Sequence, residues 1–144
     1  MDIPDYSSLE YQRFSLTTGK NEKLRVPYSS GLNWGQRPGR EPNQAYISVP
    51  VYIQKSNFLP LPGVEFSILT DDGELWICAR RQQNGKAIHT IHNNSIIGKY
   101  FRKRLNIENG ELVTISHLLE YGRTSIELYK QSKRQFILDF KPNK

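Results

Sequence analysis

Short stretches of this chain alternate between hydrophobic and polar residues, and most of them end at glycine, proline or asparagine. The alternation is clearest over residues 64–70, 74–81 and 86–91. Asp71-Asp72-Gly73 separates the first two stretches, and Asn84-Gly85 lies between the second and third. Asp-Gly and Asn-Gly are the strongest short signals for a β-hairpin. The pattern therefore predicts three consecutive antiparallel strands.

Five other stretches have the same character: residues 23–28, 45–49, 112–116, 124–129 and 136–140. Pro27 places the first of them at a sheet edge, since proline cannot donate to a central ladder. Residues 50–55 are ambiguous because Pro50 could begin a short helix. Residues 1–19 carry little periodicity, and we expect an arm or an edge segment there.

A helix is predicted after Asn94 or Ser95, either of which suits an N-cap. Apolar residues then recur at helical spacing as far as Leu105. The total is seven or eight strands with one or two short helices, and no internal repeat or long linker divides them. A single domain over residues 1–144, folded as a small, mainly antiparallel barrel, buries so many short strands most simply.

The composition points to a nucleic acid as partner. Twenty Lys and Arg face 14 Asp and Glu, for a formal charge of +6, which favours polyanions. The sequence has no apolar run of about 20 residues and no signal-peptide core, so we expect no membrane association. Cys78 is the single cysteine, which fits a reducing compartment and predicts a cytoplasmic protein. No heptad pattern is evident, and we expect a monomer.

Two segments carry the side chains that bind base edges in the DNA major groove, namely Arg, Gln, Asn and Lys. One is the glycine-rich stretch 31–40, where Gly and Pro argue against a helix or a regular strand. The other is the tip of the 74–91 hairpin; a two-residue turn there would place Arg81 opposite Ile88. The base-contact candidates are Asn33, Gln36, Arg37, Arg40, Arg80, Arg81, Gln82, Gln83, Asn84 and Lys86.

A second group of residues suits the DNA backbone. Trp34 could stack on a base or sugar, or could anchor the loop to the barrel. Lysine and arginine are the residues that neutralise phosphates. The backbone candidates are Lys20, Lys23, Ser30, Trp34, Gln44, Lys99, Arg102, Lys103 and Arg123.

Catalytic patterns are weak, and the sequence predicts no catalytic residue, no metal site and no cofactor. One alternative is a small magnesium-dependent nuclease that uses Asp139 and Lys141 with Asp71 or Asp72. Another is a single-stranded nucleic-acid binder of the oligonucleotide-binding barrel class, with Trp34, Trp76 and tyrosine residues as stacking platforms.

The sequence resembles the C-terminal DNA-recognition domain of NgoFVII-type restriction endonucleases over roughly residues 20–140. The most specific block is Ser30-Gly31-Leu32-Asn33-Trp34-Gly35-Gln36-Arg37, followed by Arg40 and Gln44-Ala45-Tyr46-Ile47. Further similar blocks are Leu69-Thr70-Asp71-Asp72-Gly73, Lys86-Ala87-Ile88-His89-Thr90, Gly98-Lys99-Tyr100-Phe101-Arg102 and Glu120-Tyr121-Gly122-Arg123.

The resemblance implies the fold of the plant "B-three" domain, a seven-stranded open antiparallel pseudobarrel that holds double-stranded DNA between two arms in the major groove. By position, the N-terminal arm is residues 33–40 and the C-terminal arm is residues 80–86. In that family a phospholipase-D-like nuclease domain with a His-x-Lys motif precedes the recognition domain. None of His89, His92 and His117 is followed two residues later by Lys. We therefore expect a non-enzymatic recognition domain whose partner is a nuclease domain or subunit.

Overall fold

The computed structural model describes residues 2–142, apart from the side chain of Glu22. Seven strands form one sheet: β1 (Tyr11–Ser15), β2 (Ile47–Ser48), β3 (Phe66–Thr70), β4 (Leu75–Arg81), β5 (Ala87–Thr90), β6 (Ser125–Ser132) and β7 (Gln135–Asp139). The helices are α1 (Val51–Gln54), α2 (Ile96–Leu105) and α3 (Ile115–Tyr121). Short 3-10 turns occupy Asn21–Lys23, Gly31–Gln36 and Gln83–Gly85.

The sheet has the order β1-β6-β7-β3-β4-β5-β2 and is nearly closed, because its two edge strands β1 and β2 approach each other. The predicted mainly β, seven-stranded pseudobarrel is confirmed. The sheet is mixed rather than wholly antiparallel, since β3 and β7 run parallel with Ile68 opposite Phe136. Parallel neighbours require a long crossover, and here β4, β5, α2, α3 and β6 lie between β3 and β7 along the chain.

Most strand predictions agree with the structure to within a few residues, but two do not. Residues 23–28 form no strand; Arg25 makes only an isolated bridge to Thr18. Residues 112–116 were predicted as a strand, yet α3 begins at Ile115. The reason is a capping box in which Thr114 Oγ1 accepts from His117 N and His117 Nδ1 accepts from Thr114 N. A histidine takes the place usually held by Glu or Gln, so the sequence signal was weak.

The β4–β5 hairpin is one residue out of the predicted register. Arg81 lies opposite Ala87 and Arg80 opposite Ile88, so the loop has five residues instead of two. Gln82, Asn84 and Gly85 all have positive φ. This path turns the carbonyls of Asn84 and Gly85 toward the Arg80 guanidinium, which binds both. Along β4, Arg80 lies on the same face as the buried Trp76 and Cys78, and Arg80 is buried as well.

The register separates charge along the barrel axis. Because β4 is antiparallel to both β3 and β5, the turn at 71–74 and the tip at 82–86 lie at opposite ends. The first turn carries Asp71, Asp72 and Glu74. The end with the 82–86 tip also holds the β6–β7 turn, since β7 starts beside the start of β3. That end is basic, with Arg81, Lys86, Lys133 and Arg134.

Two buried polar side chains attach the 31–44 segment to the rest of the barrel. Arg102 on α2 is fully buried and donates to the carbonyls of Glu111 (2.9 Å), Gly98 (3.1 Å) and Leu32 (3.3 Å). Asn33 donates to Pro27 O and Val113 O and accepts from Val113 N, each at 2.8 Å. Nearly all buried donors and acceptors in folded proteins have such a partner. This network therefore determines where the segment lies.

We predict that Arg102→Met lowers the free energy of unfolding by roughly 3 kcal/mol, because several buried carbonyls lose their donor at once. Lys99→Met on the exposed face of the same helix is the matched control and should change it by less than about 0.5 kcal/mol. Urea unfolding followed by tryptophan fluorescence measures both. Equal effects of the two substitutions would contradict a fastening role for Arg102.

Candidate nucleic-acid interface

The two arms meet on one face of the barrel through a cluster of aromatic rings. His89 points outward from β5, and its ring stacks on Tyr46 with centroids 5.6 Å apart and planes 5° apart. Trp34 from the N-terminal arm covers both rings edge-on, at 5.0 Å from His89 and 5.5 Å from Tyr46. The Arg40 guanidinium lies 3.7 Å from the centre of the Trp34 ring. Trp34 thus anchors the arm to the barrel, one of the two roles expected for it.

The N-terminal arm is structural at its root and exposed at its tip. Instead of an irregular loop, its root is a pair of 3-10 turns over Gly31–Gln36. Asn33 is fully buried, and its amide is occupied by the contacts described above. Gln36 Nε2 donates to Pro42 O and Gly110 O, both at 3.1 Å. Arg37 and Arg40 at the tip are exposed; Arg37 Nε donates to Ser29 O at 2.8 Å and Arg40 Nη1 to Gln44 Oε1 at 2.9 Å, which leaves each guanidinium further N–H groups. The basic tip of this arm is therefore the part open to a ligand.

The C-terminal arm shows the same division. The Arg80 side chain is buried and donates to Gly85 O at 3.0 Å, Pro60 O at 3.1 Å and Asn84 O at 3.2 Å. It braces the tip and has little surface left for a base. The remaining candidates of this arm are all exposed: Arg81, Gln82, Gln83, Asn84 and Lys86.

The backbone candidates also fall into two groups. Arg102 is part of the core, and buried Arg123 forms ion pairs with Asp139 and, at 3.4 Å, with Glu127. Lys103 pairs with Glu74 at 2.7 Å and Asp72 at 3.5 Å, at the acidic end of the barrel. The others keep accessible surface: Lys20, Lys23 and Lys99 are exposed, and Ser30 and Gln44 are partly buried.

Both arms lie within stretches of chain without acidic residues. Residues 23–40 contain four Lys or Arg and no Asp or Glu, and residues 75–107 contain seven Lys or Arg and no Asp or Glu. Glu41 adjoins the first stretch, but Ser95 and Asn43 hydrogen-bond its carboxylate. The exposed tips consequently present positive charge to an approaching polyanion.

His89 and Tyr46 join the arms, and neither was a predicted site residue. Both fall in blocks that carry the family resemblance, but their alternating neighbours indicated only strands. The imidazole is buried, and burial together with the charges of Arg81 and Arg40 lowers the pKa of His89 to about 4. Trp34 from one arm and Gln82 from the other both contact this ring, so the two segments converge on it.

The carboxylates of the predicted nuclease alternative are close together but already engaged. Asp71, Asp139 and Lys141 line one surface cavity. Arg104 pairs with Asp71, while Arg123 and Tyr6 bind Asp139. Within residues 2–142, no three His, Cys, Asp or Glu side chains are grouped as metal ligands would be. The arrangement stabilises the β7 end and offers no free pair of acidic ligands.

The single-stranded alternative loses both of its tryptophan platforms. Trp34 is buried, and the Arg40 guanidinium lies over its ring. Trp76 is 1% exposed and packs edge-on against Tyr100 inside the barrel.

In the described part of the chain, no helix has the length and apolar character needed to cross a membrane.

A basic pseudobarrel that presents two exposed cationic segments on one face has the features expected of a nucleic-acid-binding domain. The family profile of the NgoFVII C-terminal B3-like DNA-binding domain matches residues 6–132. The chain belongs to this family, which is a DNA-binding rather than a catalytic domain.

Other comparisons add little. No curated protein matches the sequence. A solved structure of a hypothetical Arabidopsis thaliana protein is similar at 14% identity, over 95% of this chain and 97% of that chain, with a TM-score of 0.41. A similarity at that level supports no conclusion about function.

We predict that His89 makes folding stability depend on pH. Its pKa is about 4 in the folded protein and about 6.5 when unfolded, so the unfolded chain binds more protons below pH 6.5. Stability is full above pH 6.5 and is lost as the pH falls toward 4, by about 2 kcal/mol between pH 8 and pH 5. His89→Gln should remove this part of the loss.

Urea unfolding at pH 8 and pH 5 measures the effect, and His92→Gln is the control because His92 is exposed. The difference between the two pH values should shrink for His89→Gln alone. An unchanged difference would show that His89 is not buried in its neutral form.

Proposed function

We propose that this domain binds double-stranded DNA sequence-specifically and serves as the target-recognition part of a restriction endonuclease. The observation that carries the proposal is the convergence of two polar, acid-free arms on one face of a domain that belongs to a DNA-binding family. In this proposal the arms enter the major groove. A nuclease domain or subunit outside this sequence supplies cleavage.

The arm tips supply sequence choice. Arg37 and Arg40 extend from one arm and Arg81 from the other, all exposed. Arginine binds guanine O6 and N7 with two hydrogen bonds, a contact that no other base pair reproduces. Gln82, Gln83 and Asn84 stand beside Arg81 and have the amide groups that suit adenine. Asn33, Gln36 and Arg80 are left out, because the fold uses their side chains.

Exposed lysines around the arms supply affinity through phosphates. Lys20, Lys23, Lys86 and Lys99 are the residues we assign to this role, in place of the buried Arg102 and Arg123. Each phosphate that they neutralise releases counterions, so affinity should fall with salt. The domain acts as a monomer in the cytoplasm in this proposal.

Binding-site selection from a randomised duplex library tests the proposal. We expect enrichment of a defined motif, with an affinity at least about 1000-fold above that for unrelated duplex. The corresponding single strand should bind more weakly than the duplex. Selection that enriches no motif would refute sequence specificity, and preference for the single strand would favour the oligonucleotide-binding alternative.

We further predict that Arg37→Ala and Arg81→Ala each cost about 1–3 kcal/mol of binding free energy and relax preference at one position of the motif. Lys99→Ala should weaken binding to all DNA sequences alike and lower the salt dependence of the affinity by about one counterion. Lys103→Ala is the control, because its ammonium is held by Glu74 and Asp72 at the opposite end. Band-shift titrations at several salt concentrations measure all four. Uniform losses from the arm variants would contradict their assignment to bases.

A further inference from the structure

The C-terminal arm displays one side chain from an unusual backbone conformation. Gln82 has φ 67° and ψ 177°, a region populated almost only by glycine. Such a conformation persists when its surroundings determine it, and it is found most often at functional sites. Here the surroundings are the Arg80 brace on one side and the ring of His89 on the other.

The amide of Gln82 is tied to that ring. Gln82 Nε2 and His89 Nε2 are 3.1 Å apart. An amide nitrogen is only a donor, so His89 Nε2 accepts and the imidazole carries its proton on Nδ1. The low pKa of His89, caused first by burial and then by Arg81 and Arg40, keeps the ring neutral at physiological pH. The hydrogen bond between Gln82 and His89 can therefore form at any physiological pH at which the domain would bind DNA.

His89 is itself held in place by Trp34 of the N-terminal arm and by Tyr46, which precedes β2. Tyr46 stacks on one face of the ring, and Trp34 packs edge-on against it. His89 is 9% exposed, whereas Gln82 and Arg81 beside it are exposed. The imidazole lies beneath the surface as a fixed acceptor, and the amide above it faces solvent.

We propose that Gln82 recognises an adenine and that His89 is the positioning residue that fixes its amide for that base. The inference rests on the proposed function and names a residue and a base within it. The bond to His89 occupies one of the two N–H groups of Gln82. One N–H and Oε1 remain, a donor and an acceptor side by side.

That pair complements adenine and opposes guanine. Adenine presents N7 as acceptor and the N6 amino group as donor in the major groove, whereas guanine presents two acceptors, N7 and O6. A free glutamine can turn both N–H groups toward guanine. With one N–H held by His89, Oε1 would face guanine O6 instead, and this repulsion adds to specificity.

The experiment uses the motif selected by the wild-type domain and compares dissociation constants for adenine and guanine at each position. Gln82→Ala identifies the position: we expect the preference for adenine there to fall by about 10-fold and other positions to keep theirs. On wild-type protein, 7-deazaadenine at that position should weaken binding by a similar factor, since it removes the N7 acceptor.

Two substitutions of His89 then separate positioning from packing. His89→Phe keeps an aromatic ring against Tyr46 and Trp34 but has no acceptor, and we expect it to lose the same preference as Gln82→Ala. His89→Gln restores an acceptor near the position of Nε2 and should recover most of it. His92→Phe is the control for an added phenylalanine, and thermal unfolding verifies that every variant is folded.

Each outcome decides between the two proposals. If the wild-type domain selects no motif, the proposed function fails and the role of Gln82 fails with it. If it selects a motif whose adenine preferences survive Gln82→Ala, only the present inference is overturned. Loss of preference in Gln82→Ala with full preference in His89→Phe would reject His89 as the positioning residue. If His89→Phe does not fold, the 7-deazaadenine and His89→Gln measurements still test the assignment.

Discussion

The position of the N-terminal arm depends on one buried arginine. Arg102 lies in the interior, and its guanidinium binds the carbonyls of Leu32, Gly98 and Glu111, which come from three different parts of the chain. Desolvating a guanidinium is costly unless its donors are satisfied, so these carbonyls are held at defined places. α2 and the 31–44 segment are then so close that a Cβ on Gly98 would lie 1.7 Å from Asn43 O. A loop rich in glycine acquires one conformation as a result.

The C-terminal arm uses the same device on a smaller scale. Arg80 binds the carbonyls of Pro60, Asn84 and Gly85, and the tip follows a path with three positive φ values. Each arm is therefore held by a buried arginine, Arg102 or Arg80, and exposes at least one other arginine to solvent. Rigid presentation matters for base recognition, since a bidentate contact tolerates little displacement and ordering a flexible loop on binding would reduce affinity.

Charge is distributed to match this arrangement. The carboxylates of the β3–β4 turn pair with Lys103 and Arg104 on α2, and Asp139 pairs with Arg123. These ion pairs lie away from the arm tips. They neutralise basic residues that, judged by charge alone, would be candidates for binding phosphates. The excess positive charge remains at the exposed tips, where steering of DNA by long-range attraction is most effective. The ring of His89 connects the arms without adding charge, because it is neutral.

Local sequence alone determined β3, β4, β5 and the helix α2 and favoured a small barrel, but it predicted strands over 23–28 and 112–116 that do not form. Alternation over β3, β4 and β5 and the helical spacing after Ser95 depend on which side chains are apolar, and burial follows from that. The sequence also identified the two basic arms by composition. Only the tertiary structure decided which arginines are exposed. Arg37, Arg40 and Arg81 are exposed, although Arg37 also donates to Ser29 O and Arg40 to Gln44 Oε1. Arg80, Arg102 and Arg123 are buried and bind carbonyls or carboxylates. The carbonyls and carboxylates that bind the buried arginines are distant in sequence or depend on the hairpin register. A guanidinium can donate to buried carbonyls as well as to a DNA base, so its residue type does not show which of the two it binds. The same reason applies to His89, whose contact with Trp34 exists only because the barrel brings two distant segments to one face.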